Sequence, residues 1–214
     1  MSRGDLGLPL FFAAQEGHAD VVRSLIHAGA SISSLGNLCP LHFAAQGNHA
    51  DVVGELLEAG AGPDQQHKLG STHTTALHVS AGLGRMGVVP ELLNAGADVQ
   101  VSAEDGRTPL FFSFQQGCAD AVRLLAKAGA DLGHLTNSGS TALNEAAKYG
   151  HDHVVRVLVE AGVYPDQRIF WGAGTKDLDD CLSVTATPLL TAAFKGHVLA
   201  VRELLMAGST WDQV

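Results

Sequence analysis

A short pattern of apolar and small residues recurs six times along the chain, and each copy centres on a leucine. The pattern is clearest at residues 9–14 (PLFFAA) and at residues 40–45 (PLHFAA). We call these leucines the anchor leucines; they are Leu10, Leu41, Leu77, Leu110, Leu143 and Leu189. Glycine follows every anchor leucine at nineteen residues, and also at seven residues except in the second copy, which has Asn48. This fixed internal spacing indicates an array of repeated structural units.

Each copy of the pattern predicts two helices. Thr108 and Pro109 supply a helix cap followed by a residue whose backbone is preset for the first helical turn. The glycine seven residues past the anchor leucine ends that helix, because glycine readily adopts a left-handed backbone. Apolar residues then recur at the spacing of one face of a second helix. In the second copy they are Val52, Val53, Leu56 and Leu57. Helix pairs this short must stack on their neighbours to bury that face, which predicts a solenoid.

The second copy resembles the ankyrin repeat almost throughout, both in its phrase Pro40-Leu41-His42-Phe43-Ala44-Ala45 and in residues 52–61 (VVGELLEAGA). The resemblance covers residues 8–208, and therefore nearly the entire chain. It implies an all-α repeat solenoid of about six stacked helix-turn-helix units, joined by hairpin-like finger loops. It also implies a concave face that binds other proteins, and by itself it implies no catalysis.

Differences in spacing place the variation of the array in the fingers. Consecutive anchor leucines lie 31, 36, 33, 33 and 46 residues apart, whereas the internal distance of nineteen never changes. We expect a single ankyrin-repeat domain over residues 1–214, with units at about 8–38, 39–73, 74–106, 107–139, 140–186 and 187–214. The last finger carries a long insertion at about 163–186, with Phe170 and Trp171. These two side chains either project toward a partner or fold back as a cap over their own loop.

The third unit departs from the helical pattern. It carries Gly82, Gly84 and Gly87, and Pro90 falls early in its second predicted helix. Each extra glycine in a helix costs about 0.5–1 kcal/mol, and a proline beyond the first turn removes a backbone hydrogen bond. We therefore expect residues 82–93 to be the softest part of the array.

Composition and charge narrow the choice of partner. Thirteen Lys and Arg against 22 Asp and Glu give a formal net charge of −9, and the basic residues are scattered singly. Nucleic-acid recognition needs clustered positive charge, so we expect no nucleic-acid partner. The stretches without charged residues are interrupted by polar residues, so we also expect no membrane insertion.

The cysteines and the N-terminal segment indicate the cellular compartment. Cys39, Cys118 and Cys181 are odd in number, far apart and without a CxxC motif, which favours reduced intracellular thiols over a disulfide framework. The apolar segment 9–22 has an internal copy at 109–122, so we assign it to the array and not to a cleaved signal peptide. We expect a cytoplasmic protein that is not secreted, with the nucleus as the alternative location.

Eleven histidines raise the question of a metal or catalytic site. Six of them match positions at which the resemblance implies hydrogen bonds between units, namely His18, His42, His49, His78, His151 and His197. His151 and His153 are two residues apart, which directs their side chains to different faces of a helix and prevents chelation. The chain contains no nucleophile elbow, phosphate loop or zinc-protease motif. We therefore expect a protein without catalytic activity, without a cofactor and without a metal site.

Partner binding is expected on the concave face and the fingers. In the family, the residues five and six past the anchor leucine line the concave face, and we call them the inner track. They are Gln15, Glu16, Gln46, Gly47, Gly82, Leu83, Gln115, Gln116, Lys148, Tyr149, Phe194 and Lys195. Because aromatic and long cationic side chains often anchor interfaces, we predict a hot spot at the C-terminal end of the track, together with Phe170 and Trp171. Arg107 is included as a finger contact.

Both ends of the array carry apolar residues, although the end units of a solenoid need polar outer faces. These residues are Leu6, Leu8, Phe11 and Phe12 at one end and Leu204, Leu205, Met206 and Trp211 at the other. Either the ends are capped by a partner, or the chain is part of a longer protein. The leading hypothesis is a non-enzymatic protein–protein interaction scaffold or adaptor. The alternative is the substrate-recruiting or regulatory arm of a larger enzyme or ubiquitin-ligase adaptor.

Overall fold

The computed structural model describes residues 6–33, 39–69, 72–166, 169–170 and 185–209. Within these residues the chain forms twelve helices and four short strands. The helices are α1 (Gly7–Gln15), α2 (Ala19–His27), α3 (Pro40–Gly47), α4 (Ala50–Glu58), α5 (Ala76–Gly82), α6 (Val88–Asn94), α7 (Pro109–Gln115), α8 (Ala119–Lys127), α9 (Ala142–Tyr149), α10 (Asp152–Glu160), α11 (Pro188–Lys195) and α12 (Val198–Met206). The strands are β1 (His67–Leu69), β2 (Thr72–Thr74), β3 (Ile169–Phe170) and β4 (Thr185–Ala186).

The helices of the described residues form six pairs, one for each anchor leucine. The two helices of a pair are joined by a short turn and contact each other, and each pair contacts the next. The first helices (α1, α3, α5, α7, α9 and α11) form one layer, and the second helices (α2, α4, α6, α8, α10 and α12) form the other. This arrangement confirms the predicted all-α repeat solenoid. The unit boundaries themselves stay a prediction.

The helix ends follow the local chemistry that the sequence predicts. The side-chain oxygens of Thr108 and Thr187 accept hydrogen bonds from the backbone N–H of the third helical residue, and proline occupies the first helical position. The glycine seven residues past the anchor leucine has a positive φ, for example 74° at Gly150 and 77° at Gly196. Four first helices (α5, α7, α9 and α11) therefore begin at a threonine cap, and each first helix is followed within two residues by a left-handed residue.

The core is a continuous row, mainly of leucine, valine and alanine side chains, taken from equivalent positions of successive units. The anchor leucines of the first five units are buried. Ala44 and Ala45 in α3, like Ala146 and Ala147 in α9, are fully buried. Because these side chains are small, the first helices of neighbouring units can approach each other closely.

The third unit differs from the prediction at the start of its second helix. α6 begins at Val88, eleven residues past its anchor leucine, whereas the other second helices begin nine residues past theirs. Pro90 is therefore the third residue of α6, where no helix provides an acceptor for the backbone N–H. The expectation that Pro90 removes a backbone hydrogen bond is wrong, because the late start places the proline in the first turn.

Two fingers contain β-hairpins. β1 and β2 pair antiparallel, with Lys68 opposite His73, between the second and third units. β3 and β4 pair with Phe170 opposite Thr185, at the base of the long last finger. The insertion between Phe170 and Thr185 therefore leaves from a paired base. Residues 171–184, including Trp171, lie outside the described residues.

Candidate functional site

The inner track lies at the C-terminal end of the first helices. Gln15, for example, is the last residue of α1, and Tyr149 is the last residue of α9. Gln115 and Lys148 are half-buried, whereas the other track residues are exposed with one exception. The exposed members are Gln15, Glu16, Gln46, Gly47, Leu83, Gln116, Tyr149, Phe194 and Lys195. The exception is Gly82, which is buried against Phe112, so the exposed row is interrupted in the third unit.

One side-chain position bridges each pair of neighbouring units in the part of the chain that the structure describes. The residue eight past the anchor leucine precedes the second helix and donates a hydrogen bond to a carbonyl of the preceding unit. The bonds run from His49 Nε2 to Gln15 O (3.1 Å), Arg85 Nε to Gln46 O (2.8 Å), Cys118 Sγ to Gly82 O (3.4 Å), His151 Nε2 to Gln115 O (3.0 Å) and His197 Nε2 to Lys148 O (3.0 Å). Because the accepting carbonyls belong to the inner track, these bonds hold in place the backbone that carries it.

A glycine makes room for the bridging imidazole. Gly117 has a φ of 75°, and a methyl group on its Cα would lie 2.7 Å from Nδ1 of His151. Gly150 packs against His197 in the same way. The position therefore requires glycine both for its left-handed backbone and for the close approach of the histidine. The framework interpretation is confirmed for His49, His151 and His197.

Sequence reasoning missed the contacts that join the second and third units. Arg85 takes the place of the bridging histidine, and its only signal in the sequence is its position eight residues past Leu77. Asn48 takes the place of the glycine, with a φ of 63°, and its Oδ1 accepts a hydrogen bond from the backbone N–H of Gly87 at 3.2 Å. The departures of both units from the repeat pattern therefore meet at one junction.

Two further histidines are buried and reach the finger of the following unit. His42 Nε2 donates to the carbonyl of Thr74 at 2.7 Å, and His78 Nε2 donates to the carbonyl of Arg107 at 3.1 Å. Nδ1 of His78 in turn accepts the backbone N–H of Thr75 at 3.1 Å, so both of its ring nitrogens are engaged. Burial lowers the pKa of His42 and of His78 to about 4, because it disfavours the charged imidazolium. Both side chains are therefore neutral parts of the framework at physiological pH.

The two cysteines in the described residues are free thiols. Burial raises the pKa of Cys39 and also that of Cys118. Both thiols are therefore protonated at neutral pH, which is unfavourable for a nucleophile. Cys118 is partly buried and its Sγ donates to the carbonyl of Gly82, which suits a small packing residue.

Arg107 packs directly on the first helix of its own unit. Its guanidinium carbon lies 4.7 Å from the ring centre of Phe112, and its Nη1 donates to Oε1 of Gln115 at 3.2 Å. Its Nε donates to Oδ2 of Asp105 at 2.6 Å. The structure thus brings together two residues of the predicted site, Arg107 and Gln115, with an aromatic ring beneath the guanidinium.

The position two past the anchor leucine is the part of this surface that sequence reasoning missed. Phe12, Phe43 and Phe112 occupy it, one helical turn before the inner track and on the same helix face. Phe12 is 57% exposed, and the other two are half-buried. The signal was available in the recurrence of phenylalanine at this position. The candidate surface therefore consists of the inner track and this row of rings.

Contacts between fingers extend the surface away from the helices. His73 Nδ1 pairs with a carboxylate oxygen of Glu104 in the next finger. Asn137 Nδ2 donates to the carbonyl of Glu104 at 3.1 Å, and His134 Nε2 donates to the carbonyl of Gly106 at 2.9 Å. The fingers that follow the second, third and fourth units are therefore joined into one surface.

The C-terminal part of the inner track is aromatic and basic, as its sequence indicates. Lys148 Nζ lies 5.4 Å from the ring centre of Tyr149, and Lys195 Nζ lies 5.4 Å from that of Phe194. The two rings are 41% and 56% exposed, respectively. The side chain of Phe170 and the whole of Trp171 lie outside the described residues, so both expectations for them stay predictions.

Metal binding and membrane insertion were the other possibilities that the composition raised. The described ranges contain no group of three or more His, Cys, Asp or Glu side chains placed to hold a metal ion. In the same part of the chain, no helix combines the length and the apolar character needed to cross a membrane.

Comparison with protein families agrees with the repeat geometry. A family model for ankyrin repeats in three copies matches residues 10–103, 41–136 and 77–169, which together span more than half of the 214 residues. The chain belongs to the ankyrin-repeat family. Ankyrin repeats are generally protein–protein interaction modules, and the family is typically non-enzymatic. A comparison with curated proteins gives no match.

Proposed function

We propose that this ankyrin-repeat protein is a non-enzymatic scaffold or adaptor that binds a partner protein through the inner track and the fingers. The observation that carries the proposal is the division of tasks between its polar side chains. Five framework histidines form bonds between units: His42, His49, His78, His151 and His197. The track side chains, by contrast, are mostly exposed at the ends of the first helices. The five histidines, whose side chains are the ones best suited to catalysis, thus hold the array together. The exposed track side chains are suited to contact a partner protein.

The centre of the surface supports this function because its polar groups are already ordered. Arg107 is held by Asp105 and Gln115 and lies over the ring of Phe112. A side chain fixed in this way loses little conformational entropy when a partner binds. Arginine over an aromatic ring also offers a flat, partly apolar contact, of the kind enriched at interface hot spots.

We place the strongest contacts at the C-terminal end of the track. Tyr149 and Phe194 are exposed, and each carries a lysine ammonium group near its ring. Exposed aromatic rings beside long cations supply apolar area and charge together. We assign Phe170 and Trp171 of the last finger to the same hot spot.

We also propose that the protein works in the cytoplasm. The free thiols of Cys39 and Cys118 support a reducing compartment.

The test is affinity capture from lysate with mass spectrometry, followed by affinity measurement with the purified partner. The track variant carries Gln116→Arg and Tyr149→Ala, both at exposed positions. Its matched control carries Arg123→Ala and Lys127→Ala, which are exposed on the second helix α8. We expect the control to bind like the parent and the track variant to lose at least about tenfold in affinity. A partner lost by the control and retained by the track variant would place the site on the second helices and overturn the proposal.

A finger variant tests the hot spot separately. Residues 171–184 are replaced by Asn-Gly, which suits a two-residue hairpin turn and preserves the pairing of Phe170 with Thr185. Circular dichroism checks that the helices are retained. Weaker binding supports a contact from the last finger, whereas unchanged binding removes Trp171 from the site and leaves the track.

A further inference from the structure

Certain positions of each unit are buried only where a neighbouring unit lies beside them. The position one before the anchor leucine and the position eleven past it are buried in the second to sixth units and exposed in the first. The buried residues are Pro40, Ala76, Pro109, Ala142 and Pro188 at one position and Val52, Val88, Ala121, Val154 and Ala200 at the other. These two positions therefore face the preceding unit. In the first unit they are Pro9, which is exposed, and Val21, which is 48% exposed.

Two other positions show the opposite pattern. The positions one and four past the anchor leucine are buried in the first five units and exposed in the sixth. The buried residues are Phe11, His42, His78, Phe111 and Asn144 at one position and Ala14, Ala45, Ala81, Phe114 and Ala147 at the other. These positions therefore face the following unit. In the sixth unit they are Leu190, which is 44% exposed, and Ala193, which is exposed.

The two exposed faces use the same repeat positions as the faces that meet inside the array. We call Pro9 and Val21 the front face, and Leu190 and Ala193 the back face. The front face also carries His18, an exposed histidine at the bridging position. The back face carries Gly196, whose φ of +77° is close to the +74° to +79° of the internal glycines that receive a histidine, and whose Cα has open space beside it. In the internal junctions Gly17 receives His49, Gly117 receives His151 and Gly150 receives His197.

We propose that the front face of one copy of this chain docks on the back face of a second copy, so that the chains associate head to tail. The contact continues the stacking of the five internal junctions, with His18 placed against Gly196 of the neighbour. It covers the exposed apolar side chains of Val21 on the first unit and Leu190 on the sixth. A back-to-back contact would place Gly196 against Gly196 and provide no histidine. The head-to-tail contact is heterologous, so oligomers of more than two copies can form.

The test measures molecular mass against protein concentration by sedimentation velocity and light scattering. We expect the full chain to form dimers and longer oligomers as its concentration rises. Val21→Glu places a charge on the front face and Leu190→Glu places one on the back face. Both sites are exposed, so both variants should fold, and circular dichroism checks that they do. Each variant alone should be monomeric, because each retains one face and lacks its complement.

An equimolar mixture of the two variants gives the decisive result. The back face of Val21→Glu and the front face of Leu190→Glu are both intact, so the mixture should form one-to-one dimers and nothing larger. Leu135→Glu, at an exposed site in a finger, is the matched control and should associate like the parent. A mixture that stays monomeric overturns the proposal.

Other occupants of the two faces give different results. A parent chain that is monomeric at all concentrations overturns the proposal. If association then appears when residues 210–214 are removed, those residues and not a second copy occupy the back face of the parent. Dimers that persist in Val21→Glu alone and vanish in Leu190→Glu would show a back-to-back contact and overturn it as well.

Discussion

The third and fifth units join the units before them by the same bond made from different residues. In the fifth unit, His151 donates to the carbonyl of Gln115 at 3.0 Å and packs against Gly117. In the third, Arg85 donates to the carbonyl of Gln46 at 2.8 Å. The array therefore requires a donor at a defined place more than it requires one residue type. The longer side chain of Arg85 reaches the equivalent carbonyl from a backbone with a different conformation.

The backbone does change, because the two second helices begin at different positions. α6 has seven residues and α10 has nine, and the difference lies at their N-terminal ends. In the third unit, the backbone N–H groups of Val88 and Val89 both bond to the carbonyl of Arg85. Gly87 donates in turn to Asn48 of the preceding unit. The third unit thus has a shorter second helix than the fifth, and Gly87 adds a hydrogen bond to the preceding unit.

Proline at one repeat position should have opposite consequences in the two units. Pro90 and Arg156 both stand thirteen residues past the anchor leucine, but Arg156 is the fifth residue of α10. Arg156→Pro should lower the free energy of unfolding by about 3 kcal/mol or more, because it removes a helical hydrogen bond. Arg156→Ala is the control for the lost side chain. Pro90→Ala should change stability by less than about 1 kcal/mol. Urea unfolding followed by circular dichroism measures all three, and equal losses in Arg156→Pro and Arg156→Ala would contradict the comparison.

The glycine that receives a histidine should tolerate substitution less than one that does not. Gly117→Ala should cost about 3 kcal/mol, because alanine adds strain at positive φ and displaces His151 from its hydrogen bond. Gly196→Ala should cost the monomer, measured at low protein concentration, only about 1–2 kcal/mol, because the backbone strain is similar and no side chain of the same chain lies within 4 Å of the added methyl group. The difference between the two variants in thermal or urea unfolding isolates the histidine contact. If both cost the same, the imidazole moves aside without loss.

The helix pairs, their caps and their glycine stops could be predicted because they depend on local spacing that repeats six times. The late start of α6 could not be predicted in this way. It depends on Arg85 reaching Gln46 and on Gly87 meeting Asn48, and these contacts lie between units. Pro90 looked costly only because the helix was assumed to begin at the position used by the other units.

The candidate surface was predictable to the extent that it follows the repeat. The inner track was predicted from position alone. Its exposed members, such as Gln15 and Tyr149, lie at the C-terminal ends of the first helices, as predicted. The contacts that order the centre join a finger to a helix, as between Arg107 and Phe112. Such contacts depend on how the finger folds back, and finger length varies between units, so the sequence pattern carries no period for them.

The position one past the anchor leucine holds histidine in the third unit (His78) and asparagine in the fifth (Asn144). Acid should therefore affect this position in the third unit and not in the fifth. The pKa of His78 is about 4 in the folded protein against 6.5 without burial, so the unfolded chain binds more protons between these values. The free energy of unfolding should therefore fall as the pH drops from about 6.5 to 4, by at most about 3 kcal/mol for this residue. His42 should act in the same direction.

His78→Asn copies the residue that the fifth unit uses at this position, Asn144. It should lose about 1 kcal/mol at neutral pH, with the bond to Arg107, and should be less sensitive to acid than the parent. Urea titrations at several pH values measure both effects. An unchanged slope of stability against pH would show that His78 is protonated without loss in the folded state.

Hydrogen exchange measures the smallest difference between the two units. We expect residues 82–93 to exchange about tenfold faster than the equivalent residues 148–159, corresponding to about 1.4 kcal/mol of local stability. The shorter α6 and the glycines before it provide the reason, since Pro90 costs no backbone bond. Arg85→Ala should widen the difference, because it removes the bridge to Gln46. Equal exchange in the two segments of the parent would mean that the bonds of Arg85 and Gly87 to the second unit compensate fully for the missing helical residues, and the third unit would then not be the softest part of the array.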